Sequence, residues 1–335
     1  MKHVLVCLDD EIFDAFLTPR VLARLASRAT VTRAGAADWT THAGLADADV
    51  VVTGWGSARL TADVLARAPR LRGLVHTGGS VRGVVDPAAL ARPGFVVSSQ
   101  VNANAAPVAA HAAASIIFAM RGVFDLRDDY RRRRGASDEP WLATITDRRR
   151  GLAGRTLGIV SASRIGRQVM ELLRPWPLNL LVYDPYADAA DIDHLGATLV
   201  PDLAELAGRS DVLSIHTPLL PETRGLVSRD VLAAMRDGAT VINTARGAVV
   251  DEPALVAELV SGRLSAVLDV TDPEPPAPDS PLWDLDNVFL TPHIAGSLGT
   301  ELEVLGAQAV DEALRVLQGE PLLHEVSPDA LAREA

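Results

Sequence analysis

TLGIVSASRIGRQVMELLRPWPLNLLVYD, residues 156–184, reads as a strand, a small-residue turn, an amphipathic helix and a second strand closing on an acid. Thr156 to Val160 is a short apolar run of the kind buried on both faces of a parallel sheet. In a dinucleotide-binding βαβ unit, such a turn brings a pyrophosphate to the helix N-terminus, whose unpaired N–H groups and dipole favour an anion. The acid ending the second strand then accepts hydrogen bonds from the adenosine ribose. Asp184 follows Ser161 by 23 residues, close to the spacing of about 20 expected for that acid. The three glycine positions of the motif hold Ser161, Ser163 and Gly166, with Arg164 and Ile165 inside the same turn. A Cβ at the second position holds the backbone off the pyrophosphate, although the Ser163 hydroxyl is itself a donor for a phosphate oxygen. Taken alone, so altered a motif also suits a plain strand-turn-helix connection, and Asp184 before Pro185 also suits a turn.

Outward from this unit, apolar runs alternate with Ala/Leu-rich segments of helical period, the pattern of parallel sheets covered by helices. The fold class is α/β. HVLVCL, TVTRA, DVVVTG, LRGLVHT and FVVSS are the strands expected before Val101. TLGIV, NLLVYD, TLV, DVLSIHT, ATVINT, SAVLDV and NVFLT are those expected after Thr156. Residues 104–120, NAAPVAAHAAASIIFAM, suit a buried helix at a domain junction better than a membrane span. Glu301 to Leu317 has the period of an amphipathic helix that returns to the first domain. A length of 335 residues exceeds one ordinary core of about 100 to 200 residues, so two domains are expected.

Composition removes several functions. The net charge of -11 disfavours a nucleic-acid binder, which needs a basic face. The run Arg131 to Arg134, flanked by Asp128, Asp129 and Asp138, reads as a solvated helix end or loop. Lys2 is the only lysine, so Schiff-base catalysis and a Walker-type phosphate lysine have no interior residue to use. The single cysteine, Cys7, lies in the apolar run VLVCL and is expected to be a buried strand residue in a reducing compartment. The five-residue apolar run before Asp9 is too short for a signal peptide or a span, which points to a cytoplasmic protein. No metal cluster, membrane contact or nucleic-acid partner is expected.

Three later segments each end a strand on a reactive side chain: TVINTARGAVVDE on Arg246, SAVLDVTDPEPP on Glu274 and NVFLTPHIAG on His293. Ligands of open α/β sheets bind outside the carboxyl ends of the strands. There Arg246 can fork onto a carboxylate, His293 can transfer a proton near neutral pH, and Glu274 can hold its ring. His76, His111 and His216 suit structural or peripheral roles better.

These motifs resemble the D-isomer-specific 2-hydroxyacid dehydrogenase family over nearly the whole chain. In that family a motif like NTARG supplies the substrate-binding arginine, DV-x-x-x-EP the glutamate and TPHIAG the catalytic histidine. The resemblance implies two Rossmann-like doubly wound domains, with an NAD-binding domain (102–297) inserted in a discontinuous substrate domain (1–101 and 298–335). It assigns Asp184 to the ribose and Thr217 and Pro218 of HTPLLPET to the cofactor. Thr244 and Ala245 join that set, and Asp269 lies near the nicotinamide. VHTGGSVRGV resembles the substrate loop, where Gly78, Gly79, Ser80 and Val81 would bind the carboxylate beside Arg246. Asn102 and Val108 fall in the hinge region, and Ala110 stands before His111 where the family often has Glu. The implied reaction interconverts a 2-keto acid and a D-2-hydroxy acid with NAD, with domain closure excluding water and a homodimeric assembly. A dehydrogenase-like NAD(H)-sensing corepressor is the alternative from another functional class.

Overall fold

The structure, a computed structural model, describes residues 2–134 and 141–333; Asp138, expected beside the arginine run, lies outside them. The chain divides into two compact units, Met1–Ala105 with Ser297–Ala335, and Ala106–Gly296.

In the first unit, β1 (His3–Cys7), β2 (Thr30–Ala34), β3 (Val50–Thr53), β4 (Gly73–His76) and β5 (Val96–Ser99) form one sheet in the order β2-β1-β3-β4-β5. Every pairing is parallel. Side chains alternate across a strand, so Leu5 and Cys7 enter one core with Trp39, Leu60 and Leu74, while Val4 and Val6 enter another with Phe13, Phe16 and Val310. Burial pushes the Cys7 thiol well above its usual range. The helix Thr300–Gln318 belongs to this unit: Leu305, Ala309, Val310, Ala313 and Val316 repeat at helical spacing and enter the Val4 core.

In the second unit, β6 (Thr156–Val160), β7 (Asn179–Tyr183), β8 (Ala197–Leu199), β9 (Val212–Ile215), β10 (Thr240–Asn243), β11 (Ser265–Leu268) and β12 (Val288–Leu290) form a parallel sheet. Its order is β12-β11-β10-β9-β6-β7-β8. Counted from β6, this is the three-two-one-four-five-six order of dinucleotide-binding sheets with a seventh strand added, and the order reverses between β6 and β9. Leu157 and Ile159 face one core; Val160, Leu213 and Val241 face the other. Burial on both sides is why these strands read as continuous apolar runs.

The helix Val101–Arg121 is long and apolar enough to cross a membrane by length and composition. Instead, Ala109, Ala112, Ala113, Ile116 and Met120 form a stripe that packs with Leu157, Ile159 and Val182. Arg131 and Arg132 are exposed at the end of the helix Val123–Arg133, where Arg132 pairs with Asp286.

Candidate active site at the carboxyl ends of the second sheet

The turn after β6 is closed by its own side chains. Ser161 occupies the first glycine position with a φ of 79°, a conformation that costs an L-residue roughly 1–2 kcal/mol. Its hydroxyl donates to Asp184 Oδ2 at 3.1 Å, and Ala162 N donates to the same oxygen at 2.9 Å. Tyr186 N donates to Asp184 Oδ1 at 2.9 Å. Ser163 caps the helix Arg164–Leu173, accepting from Gly166 N at 3.3 Å. Its own proton goes to the His216 carbonyl at 2.7 Å, so in this arrangement the helix N–H groups, not the Ser163 hydroxyl, are the anion donors of the turn. Gly166 is required by close approach, because a Cβ there would stand 2.2 Å from the Ser161 carbonyl oxygen. Arg167 Nε donates to the Ala162 carbonyl at 3.0 Å.

After β9, Thr217 Oγ1 donates to the Val160 carbonyl at 3.2 Å and the Pro218 carbonyl accepts from Thr223 Oγ1 at 2.6 Å. His216 is buried, with Nε2 3.0 Å from Ser214 Oγ and Nδ1 without a partner among the described residues. Burial lowers its pKa to about 3, so the ring is neutral and structural.

After β10, the Asn243 side chain brackets the turn. Its Nδ2 donates to the Arg246 carbonyl at 2.9 Å and its Oδ1 accepts from Ala245 N at 3.0 Å. Thr244 Oγ1 is buried without a partner among the described residues. Arg246 Nη1 donates to the Ala245 carbonyl at 2.6 Å, yet among the described residues Arg246 forms no ion pair within 4.0 Å. Desolvation lowers the pKa of its guanidinium, an effect opposed by the Glu274 carboxylate. A desolvated guanidinium with no ion pair among the described residues is a ready donor to a substrate carboxylate. Gly247 lets this turn lie against the next loop: a Cβ there would stand 2.0 Å from the Thr271 carbonyl.

Asp269, at the end of β11, clasps the loop after β12. Oδ1 accepts from Thr291 Oγ1 at 2.6 Å and Ile294 N at 2.8 Å, and Oδ2 from Ala295 N at 2.9 Å. His293 N donates to the Asp269 carbonyl at 3.0 Å, and His293 has a φ of 54°. The clasp presents the His293 ring with Nδ1 2.6 Å from Glu274 Oε1. Both side chains remain accessible, at 47% and 41%.

In the first unit, the loop after β4 is held by Gln100 N donating to the Gly78 carbonyl at 3.0 Å and by buried Val81. The N–H groups of Gly79, Ser80 and Val81 donate to no acceptor among the described residues. Trp55, half exposed, lies edge-on to Phe16 at 5.3 Å and beside Gly78. Buried His76 bonds Thr53 Oγ1 through Nδ1, and burial lowers its pKa to about 4. Asn243 and Trp55 were not singled out from the sequence. The Asn of NTARG was a signal for the first; nothing local marked the second.

Residues 113–295 match the model of the D-isomer specific 2-hydroxyacid dehydrogenase NAD binding domain. The chain belongs to this family. The match makes NAD the cofactor of the second unit, and the turn after β6, with a carboxylate and a helix N-terminus at the point where strand order reverses, fits that group. Among curated relatives, D-3-phosphoglycerate dehydrogenase from Methanocaldococcus jannaschii is 34% identical over 275 residues, 82% of this chain and 51% of the relative. The chain thus spans about half the length of the curated relatives it matches. Among solved structures, the TT0316 protein from Thermus thermophilus is 30% identical, with a TM-score of 0.78, covering 97% of this chain and all of that one. An NADPH-dependent glyoxylate/hydroxypyruvate reductase from Sinorhizobium meliloti, in complex with citrate, is 25% identical, with a TM-score of 0.79 and full coverage of both chains. Both sheets of this chain are doubly wound, as the family fold requires.

Proposed function

We propose that this family member is an NAD-dependent dehydrogenase interconverting a 2-keto acid and a D-2-hydroxy acid, with residues 106–296 as its cofactor domain. The observation that carries the reading is the His293–Glu274 pair at 2.6 Å, accessible at 47% and 41%, beside an Arg246 that has no ion pair among the described residues. Bound NADH supplies the hydride to C2. Arg246 forks onto the substrate carboxylate and orients the carbonyl, an alignment that lowers the entropic part of the barrier. His293, protonated, donates through Nε2 to the keto oxygen and delivers the proton. Glu274 holds Nδ1, fixing which ring nitrogen faces the substrate. The carboxylate is also assigned to the N–H groups of the Gly78 to Val81 loop, supported by their lack of an acceptor among the described residues. Asp184 is assigned to the ribose, Thr217, Pro218, Thr244 and Ala245 to the cofactor contacts, and Asp269 to positioning the histidine loop.

The named relatives favour turnover over a sensing role, and small polar 2-keto acids are the first substrates to test. A homodimer in the cytoplasm is the expected state; exposed Phe118 and Tyr130, on consecutive helices, offer apolar surface for assembly. Loss of NADH absorbance with glyoxylate, hydroxypyruvate and longer 2-keto acids tests the reading, and NADH binding without consumption across the panel would contradict it.

A further inference from the structure

We propose that Ser161 is a positioning residue that fixes Asp184 and thereby sets the preference for NADH over NADPH. The inference rests on the reading that Asp184 meets the adenosine ribose.

An ionised carboxylate offers about four lone-pair sites. Ser161 Oγ and Ala162 N occupy Oδ2, and Tyr186 N occupies one site of Oδ1. One site on Oδ1 remains for a ribose hydroxyl. A glycine at 161 would adopt the positive φ freely but give no hydroxyl; serine accepts an unfavourable backbone conformation and returns a hydrogen bond to a charged acceptor. That bond, with the one from Ala162 N, joins the turn after β6 to the acid after β7 and restrains the carboxylate from rotating away from the ribose. A held carboxylate accepts from a ribose hydroxyl and repels a phosphate in its place. A carboxylate released from Ser161 keeps its charge and its two backbone donors but is held less firmly, which weakens NADH binding and lets it yield more readily to the phosphate of NADPH. Arg167, one of the two arginines at this turn that would favour such a phosphate, donates through Nε to the Ala162 carbonyl at 3.0 Å.

The test is fluorescence titration of the full chain with NADH and with NADPH, without substrate, for wild type, Ser161→Gly, Ser161→Asn, Asp184→Asn and the Ser161→Gly/Asp184→Asn double variant. Ser161→Gly should weaken NADH binding about fivefold, consistent with the modest net value of one hydrogen bond to a charged group, and leave NADPH unchanged or tighter. Asparagine tolerates positive φ and can donate from its amide, so Ser161→Asn should recover most of the preference. In the Asp184→Asn background the glycine substitution should change NADH affinity less than about twofold, because the partner it acts through is gone. An unchanged NADH/NADPH ratio in Ser161→Gly, or additive effects in the double variant, overturns the proposal. If Asp184→Asn itself leaves the ratio unchanged, the ribose reading fails and the proposal falls with it; a ratio moved by Asp184→Asn but not by Ser161→Gly removes Ser161 alone.

Discussion

The turn after β6 and the loops after β10, β11 and β12 stand at the same edge of one sheet and solve opposite problems. The first departs from its sequence motif at Ser161 and Ser163 and satisfies those side chains internally, on Asp184 and the His216 carbonyl. The others keep their motif residues and leave the reactive ones open: Arg246 has no ion pair among the described residues, and His293 and Glu274 bond each other while remaining accessible. Backbone N–H groups and a helix dipole can receive a pyrophosphate whatever small residue forms the turn. Proton transfer and carboxylate recognition need particular side chains, held by groups that do not compete with substrate. In the proposed reading, Asn243, Asp269 and Gly247 supply that holding.

The largest expected effect is on the open side of this comparison. Arg246→Ala should lower kcat/KM for the best keto acid at least about a hundredfold, ~2.7 kcal/mol, with NADH binding nearly unchanged. Stopped-flow NADH fluorescence separates the two, and a loss below about tenfold would remove Arg246 from substrate binding. Gly247→Ala forces the Arg246 turn away from the Thr271 carbonyl and should cost about 1–3 kcal/mol in urea unfolding while also lowering kcat. Full activity with unchanged stability would show that the close packing of the two loops is not needed.

Beneath the closed turn, the His216 pKa is lowered from 6.5 to about 3 by burial. The unfolded chain therefore takes up a proton that the folded one refuses. The stability associated with the neutral ring is complete above pH 6.5 and is lost progressively as pH falls toward about 3. At pH 5 the loss from this residue should be about 2 kcal/mol. His216→Asn should flatten the fall in urea midpoint between pH 7 and pH 5, and an equally steep fall would contradict a buried neutral ring. The smallest of these effects concerns the pair itself: Glu274→Gln keeps the shape but not the charge opposite Nδ1 and should reduce kcat about tenfold, with NADH affinity unaltered. An unaffected kcat would make Glu274 a solvated loop residue.

The strands were legible because both faces of each sheet are buried, leaving continuous β-branched runs between Ala/Leu-rich helices. The candidate reactive residues were legible because TARG and PHIAG follow β10 and β12 closely, with EP six residues beyond the end of β11. What could not be read depends on partners distant in the sequence. Ser161 adopts a positive φ against Asp184, and nothing local announces it. Glu312 looks like a polar position in an amphipathic helix, but it is buried and accepts from Ser98 Oγ at 2.9 Å, Leu323 N at 3.1 Å and His324 N at 3.0 Å. Asp269 was read as a cofactor neighbour; its carboxylate is taken up by three donors of the histidine loop, a clasp that only the folded register of β11 and β12 creates.

The most direct test of the account is a single-turnover measurement of NADH oxidation with a panel of 2-keto acids, run on wild type and His293→Gln at equal cofactor occupancy. The account expects rapid oxidation by wild type with at least one small keto acid. It expects His293→Gln to bind NADH equally well and to oxidise it slower by at least about a hundredfold, the range a lost general acid costs. Equal rates in the two proteins, or no oxidation by wild type with any member of the panel despite saturating NADH, would contradict it.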